Sequence, residues 1–163
     1  MKVDEAISLR EATQADVDSL ARIRSAEWGS QAYWHERISG YMEGRLHPGE
    51  SLLPRVVFVA ENAHDIIGFI AGHLTRRFGC DGELQWLNVA ADGRRSGLAA
   101  RLLRRLAMWF DDQGAKRICV DVDPGNIRAR TFYQKHGAEE LNPHWLVWRD
   151  MLSVGVTRSS NSR

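Results

Sequence analysis

Apolar and polar positions along the chain follow two periods, and the clearest switch between them lies in the middle of the sequence. From Glu83 to Val89 the chain is an apolar run of strand length. Residues 90–96 then interrupt the run with Gly93 and polar side chains. After them, leucine or phenylalanine recurs about once per helical turn from Leu98 to Phe110. The pattern predicts a strand, a short loop and a long amphipathic helix.

The remaining elements are predicted from the same two periods. Further strands are expected over 7–11, 55–60, 66–75, 117–123, 138–141 and 144–148, with a loop over 44–54. Helices are expected over 34–42 and 126–136. A first helix after Thr13 is expected to have its buried face at Val17, Leu20, Ala21 and Trp28. The order βααβββαβαββ predicts an α/β (α+β) fold, in which a mixed sheet carries helices on both faces.

Length, composition and charge are those of a single globular domain. The 163 residues are 44% hydrophobic and 26% charged, so we expect one domain over 1–151 and a flexible tail over 152–163. A net charge of +1 gives no overall attraction to nucleic acid or to a membrane. The two cysteines lack CxxC spacing, the six histidines form no zinc pattern, and no apolar run reaches the length of a membrane span. We therefore expect a metal-free, cytoplasmic protein with free thiols.

The loop before the long helix has the chemistry of an anion site. A helix N-terminus collects unpaired backbone N–H groups and the positive end of the helix dipole, and such a place binds phosphate. Residues 94–99 read R-x-x-G-x-A, with Gly97 allowing close approach to the backbone and Arg94 and Arg95 adding positive charge. A tight turn with solvated arginines is the alternative.

Residues 94–99, with the strand before them and the helix after them, resemble the coenzyme-A pyrophosphate loop of the GNAT N-acyltransferase superfamily, whose pattern is R/Q-x-x-G-x-G/A. Residues 126–137, N-x-x-A-x-x-F-Y-x-x-x-G, resemble a second segment of that family. The resemblance extends from Ile7 to Met151. It implies a GNAT-type, mostly antiparallel sheet of about seven strands, acetyl-CoA as cosubstrate, and a bulge that separates the central strand from its neighbour.

The resemblance also implies roles for individual residues. The Tyr133 hydroxyl would protonate the departing thiolate; a core residue at helical spacing is the alternative. The backbone N–H of Val89 would polarise the thioester carbonyl, and Asn126 would cap its helix and contact the pantetheine. The positions expected to bind coenzyme A are Leu87, Asn88, Val89, Arg94, Arg95, Ser96, Gly97, Leu98, Ala99, Asn126 and Tyr133.

Glu83 is the candidate general base. A primary amine is protonated at neutral pH, since its pKa is near ~10, so a base must remove a proton before attack. By resemblance a glutamate on the central strand does this, and Glu83 matches that place; a solvated glutamate at a strand start is the alternative. The acceptor pocket is assigned to Trp28, Tyr33 and Trp34, which could instead pack helices together. His35, His73 and His144 are expected to be surface rather than catalytic histidines.

The family resemblance therefore implies an N-acetyltransferase that moves an acetyl group from acetyl-CoA to a primary amine by direct attack in a ternary complex. The acceptor is a small molecule or a peptide, and the short last hairpin leaves room for a homodimer partner. One alternative is a coenzyme-A sensor or interaction module without catalysis. Another is an RNA-binding domain that uses Arg101, Arg104 and Arg105, against which the near-neutral charge and the nearby Asp111 and Asp112 argue.

Overall fold

The computed structural model describes residues 6–94 and 96–152. Arg95 and nearly all of the predicted tail therefore lie outside the described residues. Leu152, at the start of that tail, packs against the core. The strands are β1 Ser8–Glu11, β2 Ser51–Glu61, β3 Ile66–Thr75, β4 Gly82–Val89, β5 Ile118–Asp121, β6 Glu139–Asn142 and β7 Trp145–Trp148. The α-helices are α1 Val17–Ser25, α2 Gln31–Glu43, α3 Leu98–Asp112 and α4 Ile127–Lys135.

The strands form one seven-stranded sheet in the order β1-β2-β3-β4-β5-β7-β6. Its neighbouring strands are antiparallel except for β4 and β5, which are parallel. Helices α1 and α2 cover one face, and α3 and α4 pack into the core on the other. The predicted fold class and element order are confirmed. The long-helix prediction is also confirmed, because the face of α3 from Leu98 to Phe110 is buried against the sheet.

Two details of the sequence prediction are wrong. Helix α1 ends at Ser25, and Trp28 beyond it is 57% exposed, so Trp28 does not belong to a buried helix face. The predicted loop over 44–54 is shorter, because β2 already begins at Ser51. Proline lacks an N–H for a strand ladder, but a register shift between Leu52 and Arg55 lets Pro54 lie within the strand.

Strand β4 is paired along only part of its length on one side. On the β3 side, Ala71 lies opposite Trp86 and Gly72 opposite Leu84, so Gln85 is the extra residue of a β-bulge. On the β5 side, pairing covers only Gly82 to Leu84. The two parallel strands therefore diverge after Leu84, and residues 85–89 have an edge without strand pairing in the described part of the chain. This is the bulge and opening that the family resemblance implies.

The cysteine prediction is confirmed, since Cys80 and Cys119 are both buried free thiols. They pack with Val147; Cys119 on β5 lies opposite Val147 on β7, and Cys80 lies just before β4. Among the described residues, no helix has both the length and the apolar character that a bilayer crossing requires.

Candidate active site

The divergence of β4 and β5 opens a cleft of about 940 Å³, a volume suited to a cofactor-sized ligand. Strand β4 crosses it from Glu83 to Val89, and six residues of strand span roughly 20 Å. We call the part around Val89, Gly93, Arg94 and residues 97–100 the loop end, and the part around Glu83 and Asp121 the carboxylate end. Tyr133 and Arg24 also line the cleft.

The loop end presents backbone donors at the start of α3. The first bond of the helix runs from Arg101 N to Gly97 O, so the N–H groups of residues 98–100 precede it. Gly97 has a φ of +78°, which favours glycine, and a Cβ there would face open space. Ser96 Oγ donates to Gly93 O at 2.6 Å, and Arg94 Nε donates to Val89 O at 3.3 Å. The loop is thus closed by its own bonds, and the helix N–H groups remain available to an anion.

Arg24 joins α1 to β4 inside the cleft. Its Nη1 donates to Asn88 Oδ1 at 3.1 Å, and its guanidinium lies 4.3 Å from the ring centroid of Trp34. Burial lowers the pKa of Arg24, while the negative charge of Glu27 opposes that change. The buried side chain of Asn88 is therefore engaged by the protein itself. Sequence reasoning missed Arg24, because nothing in a helix arginine indicates that it faces inward.

Helix α4 brings Tyr133 to the cleft. Asn126 Oδ1 accepts a hydrogen bond from Ala129 N at 3.1 Å, which confirms the predicted N-cap. The Tyr133 ring is buried, with its centroid 5.5 Å from that of Trp148 in an edge-on arrangement. Burial raises the pKa of Tyr133, and the nearby charge of Arg24 lowers it in part. The hydroxyl therefore carries its proton at neutral pH.

The carboxylate end is a buried network that the sequence did not reveal. Glu83 is only 5% exposed, so the alternative of a solvated glutamate is wrong. Its Oε1 lies 3.4 Å from Arg77 Nε and 3.5 Å from His73 Nε2. His73 is fully buried, contrary to the predicted surface position, and its Nδ1 lies 2.9 Å from the Tyr41 hydroxyl. Burial raises the pKa of Asp121 on β5, and the charge of Glu83 raises it further.

The three aromatic residues predicted for the acceptor pocket form one cluster. The Trp28 ring centroid lies 5.6 Å from that of Tyr33 and 5.0 Å from that of Trp34. Trp34 is core, 3% exposed, and its Nε1 donates to Trp28 O at 2.7 Å. Trp28 lines the cleft, whereas Tyr33 lies on the outer side of the cluster at 42% exposed. The structure thus brings the three together and places Trp28 at the cleft wall.

Comparison with known proteins decides the family. The sequence model described as "Acetyltransferase (GNAT) family" matches residues 17–138, most of the chain. The chain belongs to the GNAT family. An N-acetyltransferase of Bacillus subtilis described as uncharacterised, YhfO, is 26% identical over 139 residues, which cover 82% of this chain and 91% of the relative. The family resemblance seen in the sequence is confirmed.

Solved GNAT structures share the fold. A GNAT acetyltransferase of Staphylococcus aureus superposes with a TM-score of 0.69 at 17% identity, covering 90% of this chain and 99% of the other. The PaiA N-acetyltransferase of Thermoplasma acidophilum, solved in complex with coenzyme A, superposes with a TM-score of 0.63 at 19% identity, covering 87% and 96%. Among the described residues of this GNAT protein, no three His, Cys, Asp or Glu side chains are grouped to hold a metal ion.

Proposed function

We propose that this protein transfers an acetyl group from acetyl-CoA to a primary amine by direct attack within a ternary complex. The observation that carries the proposal is the cleft between β4 and β5, which joins a helix N-terminus to a buried glutamate and a buried tyrosine. The GNAT family supports acyl transfer as the reaction class. The identity of the acceptor, the direct mechanism and the residue roles are our proposal.

The loop end fits the coenzyme. Acetyl-CoA, when bound, supplies an activated acetyl thioester. Backbone N–H groups of residues 96–99 hold the pyrophosphate, together with Arg94 and Arg95, and the open space at Gly97 leaves room for it. The unpaired edge of β4 at residues 87–89 and Asn126 hold the pantetheine arm. Arg128 and Lys135, which also line the cleft, add positive charge for the phosphates.

Glu83 and Tyr133 perform the two proton transfers. Glu83 takes a proton from the ammonium group, directly or through one water, and so frees the nitrogen lone pair. As the nitrogen bonds to the thioester carbon, the carbon–sulfur bond breaks and the Tyr133 hydroxyl gives its proton to the sulfur. The acylated nitrogen, now positively charged, then loses its second proton to the tyrosinate, directly or through water, which leaves a neutral amide and restores Tyr133. Arg24 stabilises the tyrosinate that forms, since its charge lowers the pKa of Tyr133. No protein side chain is acylated in this scheme.

The acceptor enters past Trp28. This exposed ring forms part of the cleft wall next to Glu27, and an aromatic face beside a carboxylate suits a cationic amine. We assign Trp28 to the acceptor, with Tyr33 and Trp34 supporting its position through their ring contacts.

Calorimetric titration with acetyl-CoA tests the proposal. Wild type should bind, and Gly97→Glu should weaken binding by about 100-fold or more, roughly 2.7 kcal/mol, because it places a negative charge at the pyrophosphate. Gly97→Asn is the matched control, since asparagine tolerates a positive φ and adds no charge; it should bind much more tightly than the glutamate variant. Release of free thiol with a panel of amines then measures turnover. Folded wild type that binds no acetyl-CoA would contradict the proposal, and binding without turnover on any amine would favour the sensor alternative.

A further inference from the structure

A buried histidine lies behind the proposed base. His73 on β3 faces Glu83 on β4 directly across the antiparallel ladder. Its side chain has no exposed surface, and its Nε2 has no hydrogen-bond partner among the described residues. A buried polar atom without a partner is costly, on the order of 1–3 kcal/mol. Such a cost directly behind Glu83, which lines the cleft, indicates a function for the residue beyond packing.

The surroundings of His73 fix its tautomer. Glu83 Oε1 lies 3.5 Å from Nε2, and an ionised carboxylate only accepts hydrogen bonds. Nε2 must therefore carry the hydrogen, and Nδ1 must accept from the Tyr41 hydroxyl at 2.9 Å. The Tyr41 hydroxyl keeps its proton, because burial strongly raises the pKa of Tyr41. In this arrangement the Tyr41 hydroxyl donates to His73 Nδ1, and the Nε2–H of His73 is directed at Glu83.

Both contacts of Glu83 use the same carboxylate oxygen. Arg77 Nε lies 3.4 Å from Oε1, and His73 Nε2 lies 3.5 Å from that atom. Arg77 is itself held by a bond to Gly49 O and lies over the Trp145 ring, so it cannot swing freely. Oε2 has neither of these contacts. Closing either distance to a short hydrogen bond needs a shift of only about half an ångström, and catalytic hydrogen bonds commonly tighten when substrate binds.

We propose that His73 is the positioning residue of the base: its Nε2–H and the Nε–H of Arg77 hold Oε1 of Glu83, and Oε2 is left to take the proton of the acceptor amine. The inference rests on the proposed function, in which Glu83 is that base. Tyr41 acts one step further back by keeping the hydrogen of His73 on Nε2. Other charged groups around these side chains are Arg55, whose guanidinium lies 4.7 Å from the Tyr41 ring centroid, and Asp121 on β5.

Two substitutions at position 73 separate positioning from packing. The His73→Asn side chain places its polar atoms where Nδ1 was and loses the donor to Glu83, whereas His73→Gln can extend an N–H to the Nε2 position. We expect His73→Asn to lower kcat by about 10- to 100-fold, the cost of a misplaced catalytic group. The KM for acetyl-CoA should stay within about threefold, because the loop end is untouched. His73→Gln should recover most of the lost rate.

The pH–rate profile and NMR give readouts that a packing role would not move. In His73→Asn the shape of the kcat/KM profile against pH should differ from that of wild type, because the base has lost the hydrogen-bond donor that holds it. In wild type, ¹⁵N NMR of the imidazole at neutral pH should show hydrogen on Nε2. A hydrogen on Nδ1 overturns the inference, whether or not the amine acceptor is known.

Failure of the inference and failure of the proposed function give different results. If Glu83→Gln is slow while folded His73→Asn keeps the wild-type kcat and pH profile, the inference is wrong and the base assignment stands. The inference is equally wrong if His73→Gln is as slow as His73→Asn. If Glu83→Gln retains full activity, the base assignment of the proposed function is wrong, and the inference fails with it.

Discussion

The two ends of the cleft are built from different parts of the polypeptide. At the loop end the donors are backbone N–H groups of consecutive residues, and Gly97 supplies the one unusual dihedral angle. At the carboxylate end the groups are side chains from α2, β3 and β4 and the turn at Arg77, which come together only in the folded sheet. Under the proposed function, binding the coenzyme needs only local backbone geometry, whereas moving a proton needs charges placed by tertiary structure.

The difference has a cost in stability. The loop end leaves helix N–H groups where water can reach them. These groups therefore cost the fold little stability when no ligand is bound. The carboxylate end buries Glu83, His73 and part of Arg77, with Nε2 of His73 unsatisfied. Charge and unpaired polar groups in such a place persist because the surrounding structure enforces them.

The largest effect is expected at the carboxylate end. Glu83→Gln keeps the shape of the side chain but cannot take a proton, so kcat should fall by about 10²- to 10³-fold, within the usual range for a general base. Binding of acetyl-CoA, measured by calorimetry, should be unchanged because the loop end is roughly 20 Å away along the strand. Steady-state thiol release with a reactive amine measures the loss.

A second carboxylate in the cleft serves as the control for Glu83. Glu27→Gln removes the same charge from the lining without touching the His73 network, and its kcat should stay within about fivefold of wild type. An equal loss in both variants would mean that the carboxylates only attract a cationic acceptor. In that case the loss would appear chiefly in the KM for the amine.

A smaller effect is expected where the departing sulfur takes its proton. Tyr133→Phe keeps the ring contact with Trp148 and removes the hydroxyl, so kcat should fall by about 10- to 100-fold. A thiolate, with a pKa near ~8.5, leaves more readily than an alkoxide and depends less on an acid than the amine depends on its base. Tyr33→Phe is the control, since its hydroxyl belongs to an exposed ring. A larger loss of kcat for Tyr133→Phe than for Glu83→Gln would contradict this prediction, since it would mean that protonation of the sulfur matters more than deprotonation of the amine.

Asn126 tests whether one residue serves both folding and coenzyme binding. Asn126→Ala removes the cap on Ala129 N and should destabilise the fold by about 1 kcal/mol in urea unfolding. If Asn126 also contacts the pantetheine, affinity for coenzyme A should fall a further fivefold or so in the variant that remains folded. Asn126→Asp keeps the cap, so it should keep stability but not the amide's contact with the ligand. Equal affinity in all three proteins would leave Asn126 as a cap alone.

The loop end was predictable from sequence because its chemistry is local. Six residues set the glycine and the helix start, and the flanking strand and helix each show their own period. The Asn126 cap was likewise predicted from residue type, since asparagine at a helix start bonds an N–H a few residues later. By contrast, the register of β3 against β4 depends on residues far apart in sequence. This register places His73 opposite Glu83. Nothing in the single-sequence pattern distinguishes that histidine from an exposed one.

The aromatic cluster also shows what sequence patterns cannot predict. Trp28, Tyr33 and Trp34 were predicted together as pocket residues because they lie close in sequence. The turn between α1 and α2 brings their rings into contact, yet it buries Trp34 and exposes Trp28. Residue type and spacing could predict the cluster, but they could not say which ring faces the cleft. That choice depends on where α1 ends.

The smallest effect is expected from charge repulsion at the carboxylate end. Here the substitution should stabilise the protein, whereas the substitutions above lower its activity or stability. Burial and the charge of Glu83 raise the pKa of Asp121 in the folded protein, so the folded state binds its proton more tightly than the unfolded state does. Stability is therefore lost as pH rises from the unfolded pKa, near ~3.9, through the folded value. Asp121→Asn should be more stable than wild type at pH near ~7, by only a few tenths of a kcal/mol, because the Asp121 carboxylate is only partly shielded and water still screens its charge. The gain should vanish near pH ~3.

A double-mutant cycle assigns the repulsion to its source. In a Glu83→Gln background the neighbouring charge is absent, so the gain from Asp121→Asn should shrink, and urea unfolding of the four proteins measures the coupling. The loop end offers no such gain, because its donors are unpaired N–H groups rather than crowded carboxylates. A gain that persists in the Glu83→Gln background would mean that burial alone perturbs Asp121. The carboxylate end would then hold its base without electrostatic strain, and its stability cost would rest on the unsatisfied Nε2 of His73.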